Sequence, residues 1–301
     1  MSNKNIILKN PIIIGSCGLT VSLDNWKEYA KAGVGAVVTK SIALKPNRIV
    51  GINHESIGGF LVNKEGASDK SVQEFIENVN SFLKSEFAAN TQLILSLVGF
   101  IKGDKPDFIK YLNGIKNLTK ELQSGIFAKN ISIELNTNKT IKSGSTMQKI
   151  GHRSEMVFEL AKTATQIWNG PVIVKLLYTE NENLLREVIA SACDGGADMI
   201  SLINSVPANK IEEIPKGKSD FNASGKRIFH IARRHWEVAQ ECSSIPIIAV
   251  GGIGPDIESV ETALSIPKVK AVQIVSALYD EKDLKRNFLK NLVEKSKEFI
   301  K

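Results

Sequence analysis

Eight short apolar runs recur along the chain, and a stretch of helical periodicity follows each one. They occupy residues 11–15, 36–41, 92–98, 131–136, 172–177, 199–204, 247–251 and 271–276. Each is rich in Val and Ile and short enough for a strand buried on both faces, which is the signature of parallel pairing. Eight such strands alternating with helices predict an α/β fold, a single (β/α)8 TIM barrel. In that architecture the chemistry sits at the carboxyl ends of the strands, so the residue ending each run and the loop after it become the candidates for function.

A length of 301 residues suits one such barrel with modest insertions, since these barrels run to about 250 residues. The expectation is one domain over residues 1–301. Three connections exceed what a barrel needs: residues 43–69, 137–153 and 206–226, after strands two, four and six. Loops of that length inside a compact domain usually carry function. Helical periodicity is read from near residue 24 and over residues 70–87, 105–123, 154–168, 181–194 and 227–243. It resumes from near residue 256 and over residues 280–300.

The net charge of +7 comes from scattered lysines. No dense basic run or Arg–aromatic interleaving occurs, which argues against a nucleic-acid partner. The excess still favours anionic ligands. Cys17, Cys193 and Cys242 have neither metal-type spacing nor a paired framework, as expected of a reduced, cytoplasmic protein. No run approaches a membrane span, the first ten residues lack a signal-peptide core, and no metal site is expected.

The strand ends supply Ser16, Lys40, Asn136, Lys175, Asn204, Gly251, Gly252 and Ser276. Lysines bring point charges, and asparagines bring a donor and an acceptor each. Together they suit an anionic ligand rich in carbonyl groups. The glycines after strand seven and Ser276 after strand eight lie where such barrels commonly hold a phosphate. Lys175 stands inside an apolar strand, where an unpaired charge would be costly, so a functional role is expected. Asn136 and Asn204 could alternatively be strand-end caps. Cys17, between Ser16 and Gly18, could serve as an active-site thiol, but a small packed residue is the favoured reading. His54 and His152 fall in mouth loops and are candidate acids or bases, whereas His230 and His235 read as surface or packing residues on a helix.

These segments resemble the dihydroorotate dehydrogenase family, specifically its soluble class 1 branch, over about residues 6–280. Asn10-Pro11-Ile12-Ile13 with Gly15-Ser16 looks like the family's opening, and Val38-Thr39-Lys40-Ser41 its flavin-contacting segment. Glu134-Leu135-Asn136, Val174-Lys175-Leu176 and Ser201-Leu202-Ile203-Asn204-Ser205 match strands four to six. Ser224-Gly225 and Gly251-Gly252-Ile253 match its two glycine turns. The resemblance implies an FMN-dependent oxidoreductase that takes dihydroorotate to orotate, or works on the CH–CH bond of a related small molecule. It further implies that Ser16, Lys40, Ser41, Asn136, Lys175, Asn204, Ser205, Gly225, Gly251, Gly252 and Ser276 bind FMN. Lys40, Asn63, Asn136 and Asn204 would touch substrate. A soluble electron acceptor or a partner electron-transfer subunit and a homodimer are implied as well.

The substrate side departs from that pattern. Where class 1 enzymes carry Ser-Cys-Pro-Asn with the catalytic Cys, this chain has Asn138-Lys139-Thr140-Ile141. Lys139 falls near the Cys position, and Ser143 and Ser145 follow, so Lys139, Ser145 and Lys40 are the catalytic candidates. Asn63 and Gly66 look like remnants of the loop after strand two. The Asn expected after strand three is missing from Ser96-Leu97-Val98-Gly99. Val275 stands where the family has Gly and is expected to crowd the phosphate. Two other readings remain open here: an aldolase-like lyase with Lys175 as a Schiff-base lysine, and a non-catalytic flavin-binding subunit.

Overall fold

The structure, a computed structural model, describes residue 4 and residues 6–45, 54–64, 66–99, 107–128, 131–143, 146–254, 256–280 and 285–299. Eight parallel strands close into a barrel: β1 Ile12–Ile14, β2 Ala36–Val38, β3 Gln92–Leu97, β4 Ser132–Asn136, β5 Val172–Lys175, β6 Met199–Leu202, β7 Ile247–Val250 and β8 Val269–Ile274. Each strand pairs with its neighbours in chain order, and β8 returns to β1 to close the ring. All eight expected runs therefore contain strands; the first seven are shorter than expected because pairing stops where each chain turns out of the barrel wall, and the eighth begins two residues earlier than expected and ends at Ile274.

Alternation along the strands divides the side chains into two sets. Ile12, Ile14, Val37, Leu93, Leu95 and their equivalents face the helices and form the main apolar shell. Ile13, Ala36, Val38, Ile94, Ile173, Met199, Ile248, Val250 and Ala271 fill the barrel's interior, with Ile6 and Leu8 packed against them. One step further toward the carboxyl ends, the inward positions turn polar: Ser96, Glu134, Lys175, Ser201 and Gln273 are all buried. The barrel is thus apolar in its lower layers and charged in the uppermost.

Helices start where side chains cap them. Ser22, Ser71, Asp107, Asn181 and Asp256 each accept the N–H three residues on. The three tryptophans then tie helices to the barrel. Trp26 Nε1 donates to Thr20 O at 2.8 Å, Trp168 Nε1 to Ile131 O at 2.8 Å and Trp236 Nε1 to Leu202 O at 2.6 Å. All three rings are buried, so they supply apolar contact with the indole N–H satisfied.

The long connections hold more structure than their composition predicted. The first and third contribute to one antiparallel sheet in the order Val206–Pro207, Asn222–Ser224, Phe60–Asn63, His54–Ile57. The second forms a hairpin, Thr140–Ser143 with Thr146–Lys149. The helix expected over residues 70–87 runs Val72–Leu83 and then tightens into a 3-10 turn at Glu86–Ala89. The helical region at the carboxyl end comprises Ala277–Asp280, Lys285–Ser296 and a 3-10 turn at Lys297–Phe299.

Candidate active site

The floor of the barrel mouth is a buried charge network. Lys175 Nζ, at the end of β5, donates to Glu134 Oε1 at 3.3 Å and to Gln273 Oε1 at 3.2 Å. The second Glu134 oxygen accepts Ser201 Oγ at 2.9 Å and Gln273 Nε2 at 2.6 Å. Glu134 is fully buried and Lys175 is 5% exposed. Four strands thereby bring together one cation, one anion and two neutral groups that satisfy the remaining lone pairs, which is what a buried ion pair requires. Lys175 has its expected special environment. Glu134 and Gln273 lay in the same kind of apolar run and carried the same signal, but they were not singled out.

Above this floor runs a chain of small polar groups. Ser41 Oγ and Ser96 Oγ share a hydrogen bond of 2.8 Å, Asn136 Nδ2 donates to Ser41 Oγ at 3.1 Å, and Asn204 Nδ2 donates to Asn136 Oδ1 at 3.4 Å. Tyr111 OH holds the strand end from behind by donating to Asn136 O at 3.2 Å. Burial raises its phenol well above the ordinary tyrosine value, which keeps the donor proton in place. Asn204 Oδ1 accepts the N–H of Ser205. Asn136 and Asn204 therefore also do strand-end work, as the capping alternative anticipated, with Asn136 tied to three elements.

Over the floor opens a cavity of about 520 Å³. Its wall includes Ser16, Lys40, Ser41, Asn63, Gly66, Asn136, Lys139, Lys175, Asn204, Ser205, Gly251, Gly252 and Ser276. The sequence-derived candidates thus converge on one place, with two qualifications. Gly225 stands behind the wall, with its carbonyl 3.0 Å from the position a Cβ on Gly252 would take. Ser145 lies outside the described residues.

The side of the mouth that follows β7 and β8 is shaped by backbone. Gly225, Gly251 and Gly252 have φ of +101°, +117° and +72°, conformations that favour glycine. A Cβ on Gly252 would come within 2.6 Å of the Phe229 nitrogen, so the turn is pressed against the start of helix Phe229–Cys242. Val275 shares this wall and packs beside Gly15, 2.6 Å from where a Cβ there would sit.

The opposite side is the hairpin after β4. Ile150 N donates to Lys139 O at 3.0 Å and Gly151 N to Thr137 O at 3.2 Å, which folds the hairpin back over the strand end. It presents Asn138, Lys139, Thr140 and Lys149 to the cavity. Burial holds the Lys149 amine below the ordinary lysine value. Lys149 escaped sequence reasoning because nothing local marked residues 137–153 as a hairpin. Of the remaining candidates, Cys17 is buried and also lines the cavity, and His54 lines it with its ring 4.2 Å from that of Tyr279. His152 is instead bonded to Tyr178 O at 3.0 Å through Nε2.

A closed eight-stranded barrel whose carboxyl mouth holds a cavity over buried charged groups defines a (β/α)8-barrel enzyme. The chain matches the dihydroorotate dehydrogenase family over residues 2–295, and it belongs to that family. It is 32% identical to the dihydroorotate dehydrogenase B (NAD(+)) catalytic subunit of Alkaliphilus metalliredigens, a match covering 86% of this chain and 81% of that one. It is 29% identical to the corresponding subunit of Pyrococcus abyssi, over 91% and 85% of the two chains. A crystal structure of dihydroorotate dehydrogenase from Eimeria tenella in complex with ferulenol superposes with a TM-score of 0.73. That alignment covers 94% of this chain and 80% of the other at 13% identity, which bears on the fold. Membership makes the chain an oxidoreductase acting on CH–CH groups, in a flavoprotein family of pyrimidine biosynthesis. Among the described residues no helix is long and apolar enough to cross a membrane.

Proposed function

We propose that this chain binds FMN in the mouth cavity and oxidises dihydroorotate, or a closely related small anionic molecule, at a CH–CH bond. The observation that carries this reading is the Lys175–Glu134–Gln273–Ser201 network, a fixed ammonium group at the base of a cavity whose far wall is a glycine turn. The residues fit the cofactor. Gly251 and Gly252 line the cavity with positive-φ backbone pressed against the start of helix Phe229–Cys242, which suits the close backbone approach of a phosphate. Gly225 and Ser276 complete that end. Lys40, Ser41, Asn136, Lys175, Asn204 and Ser205 are the side chains available to the ring system, and Ser16 flanks them.

FMN, when bound, would accept the hydride. Lys175 would hold negative charge that develops beside it, at low reorganisation cost because Glu134 and Gln273 already fix the ammonium. Asn136, Asn204, Asn63 and Lys40 would orient the substrate. Lys139, at the position of the family's Cys, is the proposed proton acceptor and would act from its neutral form. Ser145 and Lys40 are the other candidates. A partner electron-transfer subunit is part of the proposal, supported by the relatives' designation as catalytic subunits. A homodimer in the cytoplasm is the expected setting. The lyase alternative is disfavoured, since the Lys175 nitrogen is held as a buried ammonium by Glu134 and Gln273, whereas Schiff-base formation needs a free amine.

The test is the visible spectrum of the purified protein before and after anaerobic addition of dihydroorotate. Flavin bands that bleach are expected. Bands that persist would overturn dihydroorotate as substrate, and no bands even with added FMN would overturn the cofactor.

A further inference from the structure

The hairpin that replaces the family's catalytic loop places lysines on the side of the mouth away from the glycine turns. In the closed ring β4 lies four strands from β8 and three from β7, so cations on the hairpin after β4 cannot serve a phosphate held at Gly251, Gly252 and Ser276. Lys149 lines the cavity, is half-buried, and its ammonium makes no hydrogen bond or ion pair with any described residue. The carboxylates near it offer no relief. Asp220, the one acidic side chain among the described residues of the wall, is paired with Lys64, and Glu134 beneath is taken by Lys175. A half-buried cation with no counter-ion costs stability, and a ligand anion would remove that cost. Lys40, also on the wall, follows β2, two strands round the ring from β4. At about 4.8 Å per strand spacing, β2 and β4 stand roughly 10 Å apart, and Lys149 lies on the return strand of the hairpin, so the two lysines enter the cavity from separate elements.

We propose that Lys149 binds a second acidic group of the substrate, so that the molecule this enzyme prefers is a small dianion with acidic groups at two edges rather than a monocarboxylate. This deepens the oxidoreductase reading and rests on it. Lys149 is a specificity residue in this proposal, and Lys139 keeps its assignment as proton acceptor.

The experiment is calorimetric titration of the flavin-loaded enzyme with benzoate and with isophthalate, which differ only in a second ring carboxylate. Hydrogen bonds to charged groups contribute roughly 1.5–3 kcal/mol, which converts to about 10- to 100-fold in affinity. Isophthalate should bind the wild type at least about tenfold more tightly. That preference should vanish in Lys149→Met and survive in Lys149→Arg, with thermal midpoints no lower than that of the wild type showing that both variants fold. Equal binding of the two ligands, no binding of either, or a preference that persists in Lys149→Met would overturn the proposal while the flavin bands remain. Absence of flavin bands from the same samples would instead overturn the cofactor reading, and this one with it.

Discussion

Glu134 sets the energetics of the site at the scale of single residues. It is fully buried, and its charge is tolerated because Lys175, Ser201 and Gln273 all bond it. Lys175→Met should therefore destabilise the fold by about 3–5 kcal/mol, the cost of leaving one partner of a buried pair behind. Urea denaturation reads this directly. The double variant Lys175→Met/Glu134→Gln should recover most of that loss, since no uncompensated charge remains. Flavin retention should not recover with it. A double variant that regains stability and flavin together would show that Lys175 serves only to neutralise Glu134. Lys175 was legible in the sequence because a lysine in Val172-Ile173-Val174-Lys175-Leu176 has no bland explanation. Glu134 in Ile133-Glu134-Leu135 obeys the same logic. Lys149, by contrast, sits in a polar segment where any number of lysines would look alike.

Among the elements, the turns after β6 to β8 matter most. Gly252 has φ +72°, and a Cβ there would meet the Phe229 backbone at 2.6 and 2.8 Å. Gly252→Ala should cost about 1–3 kcal/mol through backbone strain. It should also lower flavin occupancy at least about tenfold, because the turn must move toward the cavity to relieve the clash. Flavin absorbance per mole of purified protein checks it. Strands and helices of the barrel were legible because their patterns are local, repeating every two or about 3.6 residues. The antiparallel sheet over the mouth was not. Ser224 Oγ bonds Leu61 O across 163 residues of chain, and neither segment has an apolar period of its own that requires pairing. The β4 hairpin was missed for a related reason, since it buries Ile141 alone while its other described residues face solvent or the cavity.

For the molecule as a whole, stability carries a pH dependence from two half-buried or buried imidazoles. Burial lowers the pKa of both His152 and His235 below the ordinary value of 6.5. His235 Nδ1 lies 2.8 Å from Ile231 O and Nε2 lies 3.0 Å from Thr179 O; both carbonyls favour the protonated ring, and burial outweighs them. Below pH 6.5 the unfolded chain therefore binds more protons than the folded one. The stabilising contribution is complete above 6.5 and is lost as pH falls toward the lowered folded values. Urea midpoints should drop between about pH 7.5 and about pH 5.5, and the drop should be smaller in His235→Gln. An equal drop in that variant would assign the effect to other groups.

What the sequence by itself determined is the barrel, the residues that end its strands at the mouth, and the family. Each of these is written in short local patterns, and right-handed crossovers wind successive parallel strands round in one sense. Position within the barrel follows from the alternation, which sends Lys40, Asn136 and Lys175 inward and upward. Only the tertiary structure decided which groups neutralise one another. It paired Lys175 with Glu134 and Lys64 with Asp220, and it left Lys149 facing the cavity. Charge pairing depends on distances between residues far apart in the chain, and no local pattern encodes those distances. The strand-end residues of the mouth were therefore readable from the sequence alone, while the charge pairing among them emerged only once the chain was folded.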